Sequence, residues 1–447
     1  MNILYVSQYF PPEVCAPAIR VNEFTQAWAR AGHNVRVLTG FPNHPEGVLH
    51  PDYREKWRRG FVREDHGGVQ VSRTWLLPAA NQGMWGRAAN YSSFALSATL
   101  TGPFVAQWQG VVIGTSPQLL VGVAGYLVAR SRGLPFVFEV RDLWPQSIVA
   151  VGATDQRSTL YRSLEQVANF LYRHADRIVL DGEAKRQQLI GIGVPPEKTA
   201  VIRNGVSPDF CFEPGSDTAR ATRERVRKEL GLGRKFIAMY LGTLGMAQGL
   251  ETILLAADRL KARPEIVFLI IGEGAEREQL LKKKEELCLS NVLFLRKQPR
   301  DAIPAYLSAA DVCLAPLRKR EVFKTAIPSK MFEAMAAGKP VILGVEGEAK
   351  QILLESRAGI PVLPEDQAAL ADGVALLHQN RHLCQQMGLR GRSAVLDRYS
   401  RQQQADVYLA LLEELTRLPS AYRRQTFSPA FKTSSKTDSK ALHPKRS

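Results

Sequence analysis

The segment Phe236-Ile-Ala-Met-Tyr-Leu-Gly-Thr-Leu-Gly-Met-Ala-Gln-Gly249 joins an uncharged apolar run to a turn that contains three glycines. The run predicts a buried β-strand over Phe236–Leu241. A helix is predicted after the turn, because apolar residues recur there at the spacing of one helix face: Leu250, Ile253, Leu254 and Ala257. A strand, a glycine turn and a helix in this order are typical of doubly wound α/β domains, whose ligands bind beyond the carboxyl ends of the strands.

The same alternation of short apolar runs and helical patterns extends in both directions from this segment. In the first half, runs rich in β-branched residues predict strands at Ile3–Ser7, Val35–Thr39, Val111–Thr115, Phe136–Val140 and Arg177–Leu180. In the second half, they predict strands at Phe236–Leu241, Val267–Ile271, Val292–Leu295, Val312–Ala315 and Val341–Leu343. Apolar strands that alternate with helices indicate parallel sheets covered on both faces. The sequence therefore predicts an α/β protein of two facing Rossmann-like domains, each a doubly wound parallel sheet.

The border between the two domains is predicted near Asn204–Pro214, where Asn-Gly and two prolines interrupt the pattern. The N-terminal domain then covers residues 1–204 and the C-terminal domain residues 205–396, while a helix at about 397–417 is expected to pack back on the first domain. Residues 419–447 are rich in Ser, Thr and Pro and hold seven Lys or Arg against one Asp. This composition predicts a disordered basic tail.

The overall composition is that of a globular protein, with 447 residues, 45% of them hydrophobic, and a formal net charge of +16. Five cysteines occur singly, which argues against a disulfide framework or a zinc site and for a reducing compartment. The first residues predict a strand and not a signal peptide. The uncharged stretch between Arg87 and Arg130 is divided by Pro and Gln into pieces too short to span a membrane. No nucleic-acid module pattern accompanies the positive charge, so no nucleic acid partner is expected.

A cluster of basic residues surrounds Trp57 and Phe61 in a predicted loop: Arg54, Lys56, Arg58, Arg59 and Arg63. Basic side chains with interleaved aromatic rings suit an anionic membrane surface. An uncharged helix around Tyr91–Ala106 is a second candidate for the membrane-facing surface. An ordinary solvated loop remains the alternative interpretation of the basic cluster.

The segment from Ala326 to Ile342 predicts a short helix that begins at Pro328 or Ser329 and ends at Gly338, followed by a strand. Glu333 then lies near the ligand edge of the second sheet, where a carboxylate can accept both hydroxyls of a ribose. The amino end of the same helix attracts phosphate. A structural glycine turn, a solvated charge at Glu333 and an ordinary salt bridge at Lys330 are the corresponding structural alternatives.

Together these motifs resemble the retaining family 4 glycosyltransferases, which have two facing Rossmann-like domains (the GT-B fold). The resemblance covers roughly residues 1–417 and is carried by the following segments: Asn2-Ile-Leu-Tyr-Val-Ser-Gln-Tyr-Phe-Pro-Pro, Gly32-His-Asn-Val-Arg-Val, Asn204-Gly-Val, Gly272-Glu-Gly and the segment with Glu333. Glu333 resembles the second Glu of the family's E-x7-E motif. Two further segments, Phe41-Pro-Asn-His-Pro and Glu139-Val-Arg-Asp-Leu-Trp-Pro, are similar to a bacterial O-antigen and exopolysaccharide subgroup that includes transferases similar to the L-fucosamine transferases.

The resemblance implies a nucleotide-sugar donor, most simply a UDP-sugar, bound by the C-terminal domain. The implied donor-binding residues are Gly242, Thr243, Gly245, Gln248, Gly249, Gly272, Glu273, Ser329 and Glu333. The chain departs from the family pattern, because the first Glu of E-x7-E falls at Thr325 and the usual diphosphate-binding Arg and Lys fall at Thr243 and Gln248. Lys330 is therefore the first candidate for the cation that neutralises the diphosphate, and Lys324 is the second. The chain contains no Asp-x-Asp, so a metal-independent enzyme without a cofactor is expected.

The resemblance also implies an acceptor site on the N-terminal domain, with Ala16, Asn43 and His44 on the acceptor side and Arg141, Asp142 and Lys330 as catalytic candidates. The implied reaction retains the anomeric configuration and joins the sugar to a polyprenyl-linked or saccharide acceptor at the cytoplasmic, inner face of the plasma membrane. Two alternatives stay open, a nucleotide-sugar 2-epimerase on the same scaffold and a non-catalytic polysaccharide-assembly protein. A dehydrogenase is disfavoured because no G-x-G-x-x-G follows the first strand.

Overall fold

A computed structural model describes residues 1–44, 46–80, 84–146, 155, 157–206 and 210–418 of the chain. The predicted basic tail, residues 419–447, lies outside the described residues. The described chain forms two sheets, each with its own set of helices, which are called the N-terminal and C-terminal units below.

The N-terminal unit contains an eight-stranded sheet with the order β3-β4-β2-β1-β5-β6-β7-β8. Its strands are β1 (Asn2–Val6), β2 (Asn34–Gly40), β3 (Phe61–His66), β4 (Val69–Thr74), β5 (Val111–Thr115), β6 (Phe136–Val140), β7 (Arg177–Leu180) and β8 (Thr199–Val201). All neighbours are parallel except the antiparallel pair β3 and β4.

The C-terminal unit contains a six-stranded parallel sheet with the order β11-β10-β9-β12-β13-β14. Its strands are β9 (Phe236–Leu241), β10 (Ile266–Ile271), β11 (Val292–Leu295), β12 (Val312–Pro316), β13 (Val341–Gly344) and β14 (Gly359–Pro361). The strand order reverses between β9 and β12, which places the expected ligand crevice outside the carboxyl ends of these two strands. The predicted fold of two doubly wound α/β units is confirmed.

Helices cover both faces of each sheet. They are α1 (Ala16–Arg30), α2 (Arg54–Arg58), α3 (Met84–Val105), α4 (Leu119–Arg132), α5 (Thr159–His174), α6 (Glu183–Gly191), α7 (Asp217–Glu229), α8 (Glu251–Arg259), α9 (Arg277–Glu286), α10 (Ile303–Ala309), α11 (Ser329–Ala336), α12 (Glu348–Ser356), α13 (Gln367–Gln379), α14 (Arg381–Arg398) and α15 (Arg401–Arg417). Short 3₁₀ helices lie at Pro51–Tyr53, Pro196–Lys198, Arg300–Ala302 and Glu321–Thr325. No helix in the described ranges is both long and apolar enough to cross a membrane.

The last helix, α15, returns to the N-terminal unit and packs on α1. The indole Nε1 of Trp28 donates to the Ala405 carbonyl at 2.9 Å, and Trp28 meets the Tyr408 ring edge to face. Glu348, at the start of α12, makes a second contact between the units. Its carboxylate accepts from the Ala184 amide at the amino end of α6 and pairs with Arg203, each at 3.0 Å. This carboxylate therefore caps a helix of the other unit.

A buried ion pair anchors the amino-terminal half of α1 to the first sheet. Glu139 of β6 accepts from Arg20 and Thr115, each at 2.8 Å, and from the Tyr5 hydroxyl. Burial alone would raise the pKa of Glu139, but the Arg20 guanidinium holds it below its usual value. Arg20 also donates to the Ile202 carbonyl at 2.8 Å, beyond the end of β8. Glu139, the first residue of one quoted motif, thus has a structural role.

One element of the sequence prediction is wrong. The basic cluster predicted as a loop forms helix α2 and the edge strand β3, which pairs with β4. Trp57 is half-buried there, because its Nε1 donates to the Leu76 carbonyl at 2.8 Å and its ring stacks on Trp75. Strands β4, β8 and β14 were also not predicted.

Candidate functional site

The glycine turn after β9 lies at the point where the second sheet reverses its strand order. A Cβ added at Gly242 would lie 3.2 Å from the Lys330 Nζ, and one at Gly272 would lie 1.9 Å from the Gly242 carbonyl oxygen. Gly249 has a φ of +60°, in the left-handed region that glycine favours. A Cβ at Gly245 would meet only the Thr243 methyl, at 3.5 Å. Glycines at 242 and 272 therefore let two loops and a lysine approach each other closely.

Lys330, the second residue of α11, reaches this turn. Its Nζ donates to the Tyr240 hydroxyl at 2.7 Å and to the Gln248 Oε1 at 2.9 Å. Tyr240 donates in turn to the Thr243 carbonyl at 2.7 Å, so the lysine and the turn are braced together. Burial lowers the pKa of Lys330 to about 7, while the nearby Glu333 carboxylate opposes the shift. The structure thus brings together Lys330, Gln248 and Gly242, as the predicted donor site requires.

Helix α11 begins at Ser329, one of the two predicted starts, but its N-cap is Pro328, and it has no side-chain cap. Ser329 is the first helical residue and not the cap. The Thr325 hydroxyl donates to the Val322 carbonyl at 3.0 Å. Lys324 pairs with Glu321 at 2.8 Å and lies half exposed. Lys330 is therefore the better candidate of the two lysines for the diphosphate.

Glu333 forms an ion pair that the sequence did not indicate. Its Oε1 accepts from Arg300 Nη1 at 2.7 Å, and the Arg300 guanidinium lies 4.0 Å from the centre of the Phe210 ring. Glu333 and Lys330 line the same small cavity with apolar residues of β9 and β12. The Glu333 carboxylate, which is expected to bind the ribose, is thus held near the carboxyl edge of the second sheet. It lies beside Lys330, the cation expected to bind the diphosphate.

Charged pairs brace the loops around the turn. Glu273 pairs with Arg277 at 3.4 Å, and its carbonyl accepts from the Leu244 amide at 2.9 Å. Arg318, after β12, donates to Glu276 at 2.7 Å, and its amide donates to the Ala247 carbonyl at 2.9 Å. These contacts hold Glu273 at the rim of the site and fix the turn from the β12 side.

On the N-terminal unit, the predicted acceptor residues Asn43 and His44 lie on the loop after β2, which a buried carboxylate ties to the loop after β1. Glu13 Oε1 accepts from the Asn43 and His44 amides at 3.0 and 2.9 Å. Burial raises the pKa of Glu13 to about 7. The His44 ring lies 4.7 Å from the Tyr9 ring, and burial lowers the pKa of His44 to about 4, with a smaller contribution from Lys297. A neutral imidazole of this low basicity is a poor general base.

Arg141 and Asp142 follow β6 on the same edge of the first sheet. The Ser116 hydroxyl accepts from their amides at 2.7 and 3.4 Å, and the Arg141 carbonyl accepts from Lys185. Asp142 is exposed, and Arg141 Nη1 is buried without a hydrogen-bond partner among the described residues. Ala16 starts α1 beside Cys15. Arg141 and Asp142 thus have fixed backbones, and the Asp142 side chain is open to a ligand.

Sequence reasoning missed Tyr240, Arg300, Arg318 and Glu13, which brace the predicted residues. The partners of Arg300, Arg318 and Glu13 lie 30 to 42 residues away in the chain, so no local pattern marks these three. Tyr240 lies within the apolar run of β9, which predicts a strand and not a site residue. A carboxylate directly after the Pro11-Pro12 pair was the one available signal, for Glu13. The described residues contain no group of three or more His, Cys, Asp and Glu placed to share a metal ion.

Two protein-family models match successive parts of the chain. The model described as Glycosyl transferase 4-like domain matches residues 16–205, and the model described as Glycosyl transferases group 1 matches residues 222–394. The first match contains Asn43, His44, Arg141 and Asp142. The second contains the glycine turn, Lys330 and Glu333.

Among known proteins, WcaI of Escherichia coli (strain K12), a colanic acid biosynthesis glycosyl transferase by name, is 28% identical over 386 residues, which cover 84% of this chain and 91% of WcaI. Two solved structures are similar in fold. The sucrose-phosphate synthase of Thermosynechococcus elongatus has a TM-score of 0.73 at 19% identity and covers 93% of this chain and 98% of its own. Anabaena HepE in complex with UDP-glucose has a TM-score of 0.68 at 17% identity, and the match covers 93% of this chain and 100% of the HepE chain.

Proposed function

Since this chain is a glycosyltransferase of the GT-B fold, we propose that it transfers a sugar from a nucleoside-diphosphate donor, in the first instance a UDP-sugar. The sugar is transferred to a lipid-linked or free saccharide during the synthesis of a cell-surface polysaccharide. One observation carries the proposal: Lys330 is held against the glycine turn, at the point where the strand order of the second sheet reverses. This is the place where doubly wound sheets bind nucleotides.

The donor lies with its diphosphate at the glycine turn and at the amino end of α11. Gly242 and Gly245 leave room for the phosphate oxygens, and Lys330 supplies the positive charge that Thr243 and Gln248 lack. Glu333, one helical turn after Ser329, accepts the ribose hydroxyls. No metal or cofactor takes part.

The reaction breaks the bond between the anomeric carbon and the diphosphate and forms a bond to the acceptor oxygen on the same face, so the configuration is retained. The bonding electron pair leaves with the diphosphate, whose charge Lys330 and the α11 amides stabilise. The proton of the acceptor hydroxyl passes to the departing diphosphate. No carboxylate of the described site is assigned as a covalent nucleophile, which favours a front-face displacement.

The acceptor binds on the N-terminal unit, beside Ala16, Asn43 and His44. Asp142 orients the acceptor hydroxyl, and Arg141 contacts donor or acceptor phosphate. Support comes from their backbones, which Ser116 fixes, and from Arg141 Nη1, which has no hydrogen-bond partner within the described ranges. His44 contributes a neutral ring that packs against the acceptor and not a base, because its pKa is about 4.

The donor is tested by thermal stabilisation with UDP, GDP and dTDP, with and without EDTA. One nucleotide should raise the Tm of the wild-type chain, and the same nucleotide should stabilise Lys330→Met less. Lys261→Met, an exposed lysine of the same unit that pairs with Asp258, is the matched control and should behave like wild type. Equal stabilisation of Lys330→Met and wild type would remove Lys330 from the donor site.

The N-terminal unit carries an exposed apolar ridge on α3, which supports docking on a membrane. Leu96, Leu100 and Phe104 follow each other at four-residue spacing and are 64%, 64% and 75% exposed. Trp85 and Trp108, at the two ends of the ridge, are 82% and 76% exposed. A continuous exposed apolar patch on a soluble domain marks an interaction surface, and Trp suits the membrane interface.

The basic helix α2 lies beside this ridge. The strip Trp75–Leu77 connects them, because Trp57 of α2 stacks on Trp75 while Ser97 of α3 donates to the Trp75 carbonyl. Arg54, Arg58, Arg59 and Arg63 are exposed. Each contributes about 1 kcal/mol near an anionic surface. The surface suits the cytoplasmic, inner face of the plasma membrane, where a lipid-linked acceptor is presented. Trp57 is half-buried against Leu76 and Trp75 and is therefore not the membrane anchor. The exposed side chains of Leu96, Leu100 and Phe104 take that role.

Flotation with vesicles that contain an anionic lipid tests this surface. The ridge variant carries Leu96→Ser, Leu100→Ser and Phe104→Ser. The basic variant changes Arg54, Lys56, Arg58, Arg59 and Arg63 to Gln. Each variant should bind the vesicles less than wild type, while its nucleotide binding stays unchanged. Neutral vesicles should bind less than anionic ones. The matched control changes Leu354, Leu363 and Leu389, exposed leucines of the C-terminal unit, to Ser. Equal binding of the ridge variant and wild type would exclude the ridge.

A further inference from the structure

Arg300 lies outside the predicted site and contacts one of its residues, Glu333, directly. It opens the 3₁₀ helix Arg300–Ala302, a few residues after β11, and its Nη1 donates to Glu333 Oε1 at 2.7 Å. The Phe210 ring, 4.0 Å from the guanidinium, limits the rotation of this side chain. The Glu333 side chain is only 15% exposed, so the ion pair is partly shielded from water.

On α11 itself, the basic residue beside Glu333 is Lys330, three residues earlier. Residues at this spacing are neighbours on a helix surface. A Glu333 carboxylate that turned to Lys330 would neutralise the cation that the diphosphate needs, and it would lose its own orientation towards the ribose. Arg300 gives the carboxylate a different partner, 33 residues away in the chain.

The ion pair leaves Glu333 enough hydrogen-bonding capacity for a sugar. A carboxylate has about four lone-pair positions, and Arg300 uses one of them through a single N–H contact. The remaining positions suffice for two ribose hydroxyls.

We infer that Arg300 is a positioning residue for the nucleotide ribose: it fixes the Glu333 carboxylate towards the ribose hydroxyls and keeps it from quenching Lys330. The inference rests on the proposed donor site, and it assigns to Arg300 the discrimination between ribose and 2′-deoxyribose in the donor.

Calorimetric titration of the full chain with UDP, 2′-deoxy-UDP, GDP and 2′-deoxy-GDP tests the inference. Wild type should bind the ribonucleotide about tenfold more tightly than its 2′-deoxy form, as the loss of a hydrogen bond to a charged group implies. In Arg300→Met this ratio should fall towards one, and Arg300→Lys should recover part of it. Arg296→Met, an exposed arginine of the preceding loop, should keep the wild-type ratio.

The double variant Arg300→Met/Glu333→Gln separates positioning from a general loss of structure. It should bind UDP no more weakly than Glu333→Gln alone, because Arg300 acts through Glu333. A wild-type ratio retained in Arg300→Met, or additive losses in the double variant, would overturn the role of Arg300 while leaving the donor site standing. A wild-type chain that binds UDP and 2′-deoxy-UDP equally would overturn the ribose role of Glu333 as well.

Discussion

The pKa of Lys330 gives the donor site a pH dependence that can be worked out in advance. Burial lowers this pKa to about 7, so the free protein holds Lys330 half protonated at neutral pH. A bound diphosphate favours the charged ammonium and raises the pKa of Lys330, so binding takes up a proton. Donor affinity must therefore fall as the pH rises above 7.

The size of the effect follows from the same value. If only the protonated lysine binds the diphosphate, Kd scales with the reciprocal of the protonated fraction. That fraction falls about 50-fold between pH 7 and pH 9, which corresponds to about 2.3 kcal/mol of binding free energy. Above pH 7 a terminal phosphate with a pKa of about 6 is already largely ionised, so the nucleotide contributes little to the change.

The assay is isothermal titration of UDP, or of whichever nucleotide stabilises the chain, between pH 7 and 9. Wild type should lose affinity across this range, and Lys330→Met should bind weakly with little dependence on pH. Lys330→Arg, whose guanidinium stays charged, should also show little dependence. Lys261→Met should follow wild type. A wild-type Kd that stays constant from pH 7 to 9, or a Met variant that keeps the wild-type slope, would refute the reasoning.

Three further predictions concern the donor carboxylate, metal ions and the core. Glu333→Ala should weaken donor binding by about 2–4 kcal/mol with an unchanged unfolding transition, because hydrogen bonds to a charged group are lost; titration calorimetry checks this, and unchanged affinity would remove Glu333 from the site. Sugar transfer should survive EDTA and respond little to Mg²⁺, since Lys330 and α11 stabilise the diphosphate; loss on chelation that Mn²⁺ restores would contradict this. Glu139→Gln should lower the free energy of unfolding by about 3–5 kcal/mol, measured by urea denaturation, because it leaves Arg20 charged and buried without its partner; a change below 1 kcal/mol would contradict the assigned anchor role.

The fold could be predicted because parallel strands buried on both faces leave a local pattern in the sequence. Strands such as Ile266–Ile271 are fully buried and uncharged, so their apolar runs are visible without tertiary information. The edge strand Phe61–His66 could not be recognised in this way, since it carries Arg, Glu and Asp and none of its residues is fully buried. Its pairing with Val69–Thr74 is what makes it a strand.

The site could be predicted in part for a similar reason. The glycine turn and Lys330 could be proposed as site residues because the turn follows a strand and Lys330 lies at the start of a helix, and these positions are marked by local sequence. Arg300 could not be found, because its partner Glu333 is 33 residues away in the chain and only the packing of the segment after β11 against α11 brings them together. Thr243 and Gln248 stand where the family usually has the Arg and Lys that bind the diphosphate, so another cation was expected. The contact between Lys330 and Gln248 is consistent with that reasoning.

The most direct test of sugar transfer from a nucleotide donor is the release of nucleoside diphosphate from a panel of UDP-, GDP- and dTDP-sugars by the purified full chain in EDTA, with a membrane extract as the source of acceptor. The account predicts release from one nucleotide class, transfer of the labelled sugar to the lipid fraction, and loss of both in Lys330→Met and Glu333→Ala. Release that is equal in wild type and both variants, or no release from any donor, would contradict it.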